Sequence, residues 1–239
     1  MVTSELRESV EKNRVVNVKR LIDSGVSVLV TDDRRNTPVH MAAEAGALEV
    51  LQLLSDTGAP IDPPNWIGQT PLSLAARNGH LRVVKYLCEH GAVTHGPHLN
   101  TAPLSAAAAA GHLEIVKYLV EERRVPVNSL ERPFGATPLF LAARFSKLEV
   151  VRYLMDKGAD PNIANAQGET ALGRVERLVH AQPGKPTPAK AELLNGLLAC
   201  LGGGDAKTPR VSPSAGPPRA PKSLLSHLIK PRKEWHFWQ

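Results

Sequence analysis

The chain has 239 residues, 42% of them hydrophobic but only 4% aromatic, and a formal net charge of +6. So few large rings exclude one broad globular interior and favour thin helical layers built from Leu, Val and Ala. Two cysteines, Cys88 and Cys200, exclude a disulfide framework, and no apolar run approaches the roughly 20 residues of a membrane span.

The charge is unevenly placed. Residues 202–239 hold seven Lys or Arg and two acids, so residues 1–201 are almost neutral, which argues against a broad nucleic-acid-binding face. The opening MVTSELRESVEKN contains no apolar stretch like that of a signal peptide. An intracellular, cytoplasmic location is expected.

In chain order, residues 4–25 read as a polar helix pair closed by Gly25, which lies 33 residues before Gly58. TPVHMAAEAGALEVLQLL then begins at Thr37, TPLSLAARNGHLRVVKYL at Thr70, APLSAAAAAGHLEIVKYL at Ala102 and TPLFLAARFSKLEVVRYL at Thr137. These align without gaps, and a truncated fifth copy starts at Thr170, giving offsets of 33, 32, 35 and 33 residues. In the T-P copies Thr caps a short helix and Pro occupies its first position, where a missing N–H is harmless, while Ala102 takes the Thr slot in the third. Leu72, Ala75 and Ala76 give that helix a small-residue face, and Gly79 ends it; Gly46 and Gly111 stand equivalently. A second helix follows, with Val83, Val84 and Leu87 turned to its neighbours before Gly91. The stretches between copies read as extended loops or hairpins, and the two extra residues of EERRVPVNSLERPFG are placed in such a loop. Ser146 takes the slot of Gly79 and Gly111 and is expected to be strained if left-handed. After GETALGRVERLVH, HAQPGKPTPAK interrupts the last copy before AELLNGLLACL closes it.

This period and its T-P-L-H-x-A-like signature resemble the ankyrin-repeat family over residues 4–201. The resemblance implies an all-α solenoid of stacked helix pairs with hairpin or loop fingers. On this reading 1–201 is the repeat domain, with caps at 1–31 and 167–201 and regular repeats near 32–64, 65–96, 97–131 and 132–164. Residues 202–222 form a Pro/Gly-rich disordered linker, and 223–239 a basic and aromatic terminal motif.

No constellation for catalysis, cofactor or metal binding is visible: CxxC, HExxH, GxSxG and phosphate-cradling patterns do not occur. His40, His80 and His112 fall at positions of the repeat pattern, and Cys88 and Cys200 read as apolar fillers on second helices. The chain is expected not to be an enzyme and to need no cofactor.

The family resemblance implies which positions face a partner. They are Asp33, Arg34, Asn36, Glu44 and Ala45 in the first regular repeat, and Trp66, Ile67, Gln69, Arg77 and Asn78 in the second. His98, Leu99, Thr101, Ala109 and Ala110 follow, then Pro133, Phe134, Ala136, Arg144 and Phe145. Trp66, Ile67, Leu99, Phe134 and Phe145, beside Arg77 and Arg144, form the candidate binding stripe, because fingertips need no large apolar group for folding. Folding of Phe134 and Phe145 into the space around the longer loop is the competing reading. The expected partner is another protein, held as a peptide or helix in the concave groove of a monomer.

In the terminal segment, Leu224, Leu225, Leu228 and Ile229 share one side of a short helix ended by Pro231, followed by Trp235, Phe237 and Trp238. Three readings stand: a linear motif for a second protein, an anchor for an anionic membrane, or a segment that docks on the solenoid. KPRK is a candidate nuclear import signal. SLLSHL resembles the opening of a SOCS box, a ubiquitin-ligase recruiting module, but the expected Cys and the rest of the box are missing. Thr187, Thr208 and Ser212 precede proline and are candidate phosphorylation sites. The function read from these features is a non-enzymatic interaction adaptor. The alternatives are a membrane-peripheral scaffold or a ubiquitin-ligase substrate adaptor.

Overall fold

In the computed structural model, residues 4–96, 101–132, 134–180 and 188–202 are described, and they fall within a compact unit spanning residues 1–204. Its helices come in six consecutive pairs. The first helices are α1 (Ser4–Glu11), α3 (Pro38–Ala45), α5 (Pro71–Asn78), α7 (Pro103–Ala110), α9 (Pro138–Arg144) and α11 (Ala171–His180). Their partners are α2 (Val15–Asp23), α4 (Leu48–Asp56), α6 (Leu81–Glu89), α8 (Leu113–Lys117), α10 (Leu148–Asp156) and α12 (Pro188–Leu201).

Local chemistry starts and stops these helices as the sequence predicts. Thr70 Oγ1 accepts the Ser73 N–H at 3.3 Å and Thr137 Oγ1 that of Phe140 at 3.1 Å, while Pro71 and Pro138 sit at the first helical position. At the other end Gly79 adopts φ +84, which a side chain rarely tolerates. A Cβ there would also lie 2.7 Å from the His112 ring, so the next repeat rests directly on the turn.

Alanine pairs set the spacing of the stack. Ala42–Ala43, Ala75–Ala76, Ala107–Ala108 and Ala142–Ala143 are fully buried, and α1, α3, α5, α7, α9 and α11 touch in that order. The second helices supply larger groups: Val83, Val84 and Leu87, with their equivalents Ile115, Val116 and Leu119, are at most 2% exposed. Small residues on one row and branched ones on the other bring the first helices closer together than the second.

Histidine stitches the repeats. His80 Nε2 donates to the Glu44 carbonyl and His112 Nε2 to the Arg77 carbonyl, each at 2.9 Å; a carbonyl only accepts, so Nε2 carries the proton. His40 is buried, takes the Thr37 N–H on Nδ1 at 3.1 Å and donates from Nε2 to the Gln69 carbonyl at 3.2 Å. Burial pulls its pKa below the usual imidazole value. These rings are structural pins.

One expectation needs correction. The two extra residues before Thr137 do not both lie in a loop. In the second and fifth pairs the turn closes from Ala59 N–H to the Leu54 carbonyl and from Ala159 N–H to that of Leu154, whereas Val125 N–H reaches back to Leu119. The additional residue is taken up in a π-helical turn, Tyr118–Glu122, and Arg124, at φ 55, is left-handed like Gly91 one repeat earlier, at φ 90. The other lengthens the finger between Glu131 and Ala136.

Candidate interaction surface

Three of the described fingers are tight loops, each built on one polar side chain. Asn65 Oδ1 accepts the N–H groups of Ile67 at 3.2 Å and Gln69 at 2.9 Å, and Asn65 N–H donates to the Gln69 carbonyl. Asp32 closes residues 32–36 in the same way through Arg34 and Asn36, and Asn165 closes 165–169. With its backbone satisfied at the base, such a loop makes no demand on the side chains at its tip. Two pairs of adjacent fingers are joined by backbone bonds among the described residues: Trp66 N–H donates to the Arg34 carbonyl at 3.1 Å, and Ala166 N–H to that of Phe134 at 2.8 Å.

The tips carry large apolar groups in the open. Trp66 is 52% exposed, Ile67 45% and Phe134 53%. Phe145, which ends α9, is 48% exposed with the Arg144 guanidinium 5.6 Å above its ring. Neither phenylalanine is folded into the core. Arg77, at the end of α5, lies 3.6 Å from Glu44. Leu99 lies outside the described residues, as do Thr187, Thr208, Ser212 and the terminal Leu224, Leu225, Leu228, Ile229, Trp235, Phe237 and Trp238.

Beside the first finger the surface holds a recess of about 550 Å³ lined by Asp33, Arg34, Asn36, Glu44 and Ala45, and also by Arg7, Glu11, Asp32 and Met41. The resemblance implied the first five; the others were missed. Arg7 comes from the capping helix α1 and pairs with Asp32 at 2.9 Å across 25 residues of sequence. Burial pushes the Asp32 carboxyl up, but the Asn36 and Arg34 N–H groups and Arg7 outweigh it and hold the pKa below its usual value. The acidic run Asp32–Asp33 beside Arg34–Arg35 was the available sign of a charged site.

The Cys88 thiol is buried and its pKa is pushed up to about 11 by desolvation, the opposite of what a nucleophile needs. Among the described residues no group of His, Cys, Asp or Glu is placed to hold a metal ion, and no helix is long and apolar enough to cross a membrane.

Stacked helix pairs, a repeat near 33 residues and adjacent fingers bonded through their backbones define a solenoid repeat protein. The family profile described as "Ankyrin repeats (3 copies)" matches residues 6–96 and 93–165, and the chain belongs to the ankyrin-repeat family, whose repeats form protein–protein interaction domains. The putative ankyrin repeat protein FPV240 of fowlpox virus (strain NVSL) is 42% identical over 65 residues, which is 27% of this chain. That match spans only 16% of the viral protein. The crystal structure of the human ASB11 ankyrin repeat domain superposes with a TM-score of 0.64 over 86% of this chain and all of that one, at 24% identity. At that identity the likeness is one of fold.

Proposed function

We propose that the chain is a non-enzymatic adaptor whose repeat unit holds another protein on the face made by the fingertips and the C-terminal ends of the first helices. Trp66 carries this reading. It stands 52% exposed on a loop whose geometry is maintained by Asn65, so folding does not require an indole there. Exposed Trp flanked by Arg is also the composition of residues that dominate binding energy. Ile67 on the same finger, and Phe134 and Phe145 two repeats on, extend the apolar character, with Arg77 at the end of α5 and Arg144 at the end of α9.

The test is an affinity purification comparing wild type, Trp66→Ala and a chain ended at residue 201. Trp66→Ala is expected to weaken the captured partner by about 2 kcal/mol, roughly 30-fold, with an unchanged melting temperature. A variant that melts early yet binds normally would return Trp66 to a structural role. In the adaptor reading, residues 223–239 recruit a second component, supported by their clustered Lys, Arg and Trp. Sedimentation with anionic liposomes, with and without residues 222–239, separates a protein motif from a membrane anchor.

A further inference from the structure

We propose that the partner segment is cationic where it crosses the first regular repeat: a Lys or Arg side chain enters the recess between α1, α3 and the first finger, and an apolar residue beside it covers Trp66 and Ile67. This inference rests on the binding face proposed above and adds the partner's chemistry and its direction along the stack.

The recess, about 550 Å³, is of a size that takes a long side chain. Its lining presents four carboxylates, Glu11, Asp32, Asp33 and Glu44, against the guanidinium groups of Arg7 and Arg34. Arg7 is committed to Asp32 at 2.9 Å and lies 3.9 Å from Glu11. Asp32 is in turn committed to Arg7 and to the N–H groups of its own finger. Asp33 is exposed, and neither ion pair nor hydrogen bond engages its carboxylate within the described residues. Among the described residues the Glu44 carboxylate has only the exposed contact with Arg77 at 3.6 Å, a kind of pair that water and salt weaken. Arg34 is the remaining cation of the lining, and it does not balance Asp33, Glu11 and Glu44 together. Within the lining the uncommitted charge is therefore negative. The described carboxylates are not grouped to hold a metal ion, so the complementary cation is an organic one borne by a protein.

Continuity with the apolar fingertip supplies the second half of the pattern. The Arg34 carbonyl at the recess accepts the Trp66 N–H at 3.1 Å, so charge gives way to indole between adjacent fingers. Neighbouring helix layers lie about 10 Å apart, and an extended segment advances about 3.3 Å per residue. The cation and the apolar anchor are accordingly expected about three positions apart in an extended partner. Farther along, α9 ends in Arg144, which favours the opposite charge at the other end of the segment.

A phage-displayed library of random 12-residue peptides, selected on the full-length protein, tests this whatever the identity of the natural partner. Enriched peptides are then measured by fluorescence anisotropy against wild type, Asp33→Lys, Glu11→Lys/Asp33→Lys and Trp66→Ala, each first shown by its melting curve to be folded. The expected enrichment is Lys or Arg about three positions from Leu, Phe or Trp. Asp33→Lys should weaken binding at least tenfold at 50 mM salt and less at 300 mM, and a peptide with Glu in place of the cation should recover affinity for that variant. Affinity for both charge-reversed variants within twofold of wild type, or enrichment of peptides lacking a basic residue, overturns the proposal while a loss in Trp66→Ala preserves the apolar face. Loss in Asp33→Lys with Trp66→Ala unaffected removes the anchor and the paired pattern with it. No enrichment at all counts against both readings.

Discussion

Ser146 adopts φ +57 in the turn where the preceding repeats have Gly79 and Gly111. The left-handed conformation brings Cβ against the backbone carbonyl and costs about 1–2 kcal/mol for a residue with a side chain; glycine avoids that clash but gives up more chain entropy on folding. Ser146→Gly is therefore expected to stabilise the protein by about 1 kcal/mol, raising the melting temperature by roughly 2–4 °C. An unchanged melt would mean that the serine conformation is held without strain. At Asn13 the same slot is handled differently: its φ is 50, and its side-chain oxygen accepts the Val50 N–H at 3.1 Å, capping the helix of the next repeat. The left-handed turn at Ser146 was legible from alignment with Gly79. The capping by Asn13 was not, because it depends on the approach of α4, 37 residues away.

Among the elements, the finger between Glu131 and Ala136 departs most from its neighbours. Glu131 N–H donates to the Ala136 carbonyl at 2.9 Å and Gly135 N–H returns to the Glu131 carbonyl at 2.7 Å, so Glu131 closes the base of the loop that displays Phe134. Burial raises its carboxyl pKa from 4.5 to about 7. A folded-state pKa above the unfolded one favours folding below pH 4.5, and that contribution is lost as pH rises through 7. Glu131→Gln is expected to be more stable than wild type above pH 7 by on the order of 2 kcal/mol, and the difference should vanish near pH 4.5. Denaturant titrations at the two pH values measure it, and a pH-independent difference would show that the carboxyl is solvated. Helix starts at T-P and stops at Gly were readable because each rests on two or three adjacent residues. The π-helical turn at Tyr118–Glu122 was not, since one surplus residue fits a loop or a helix equally well until the packing of Leu119 and Val125 decides.

Across the repeat unit, the first helices are joined through alanine, and α5 against α7 is the most extensive of these contacts. Because each pair touches only its neighbours, damage at one interface uncouples the two sides of the stack. Ala107→Leu, at a position 0% exposed, is expected to cost about 1–3 kcal/mol by overpacking and to split one thermal transition into two. Calorimetry would reveal the split; a single transition at the original temperature would show that the row has slack.

The 33-residue period, the Thr-Pro starts and the buried Val-Val-x-x-Leu faces were determined by the sequence alone, because they depend on contacts within one repeat or with its copy next door. Which side chains are exposed at the described fingertips, and that Arg7 reaches Asp32 to wall the first recess, were decided by the tertiary structure. A fingertip has no periodic partner to dictate its orientation, and a cap meets the first repeat only once the chain has stacked.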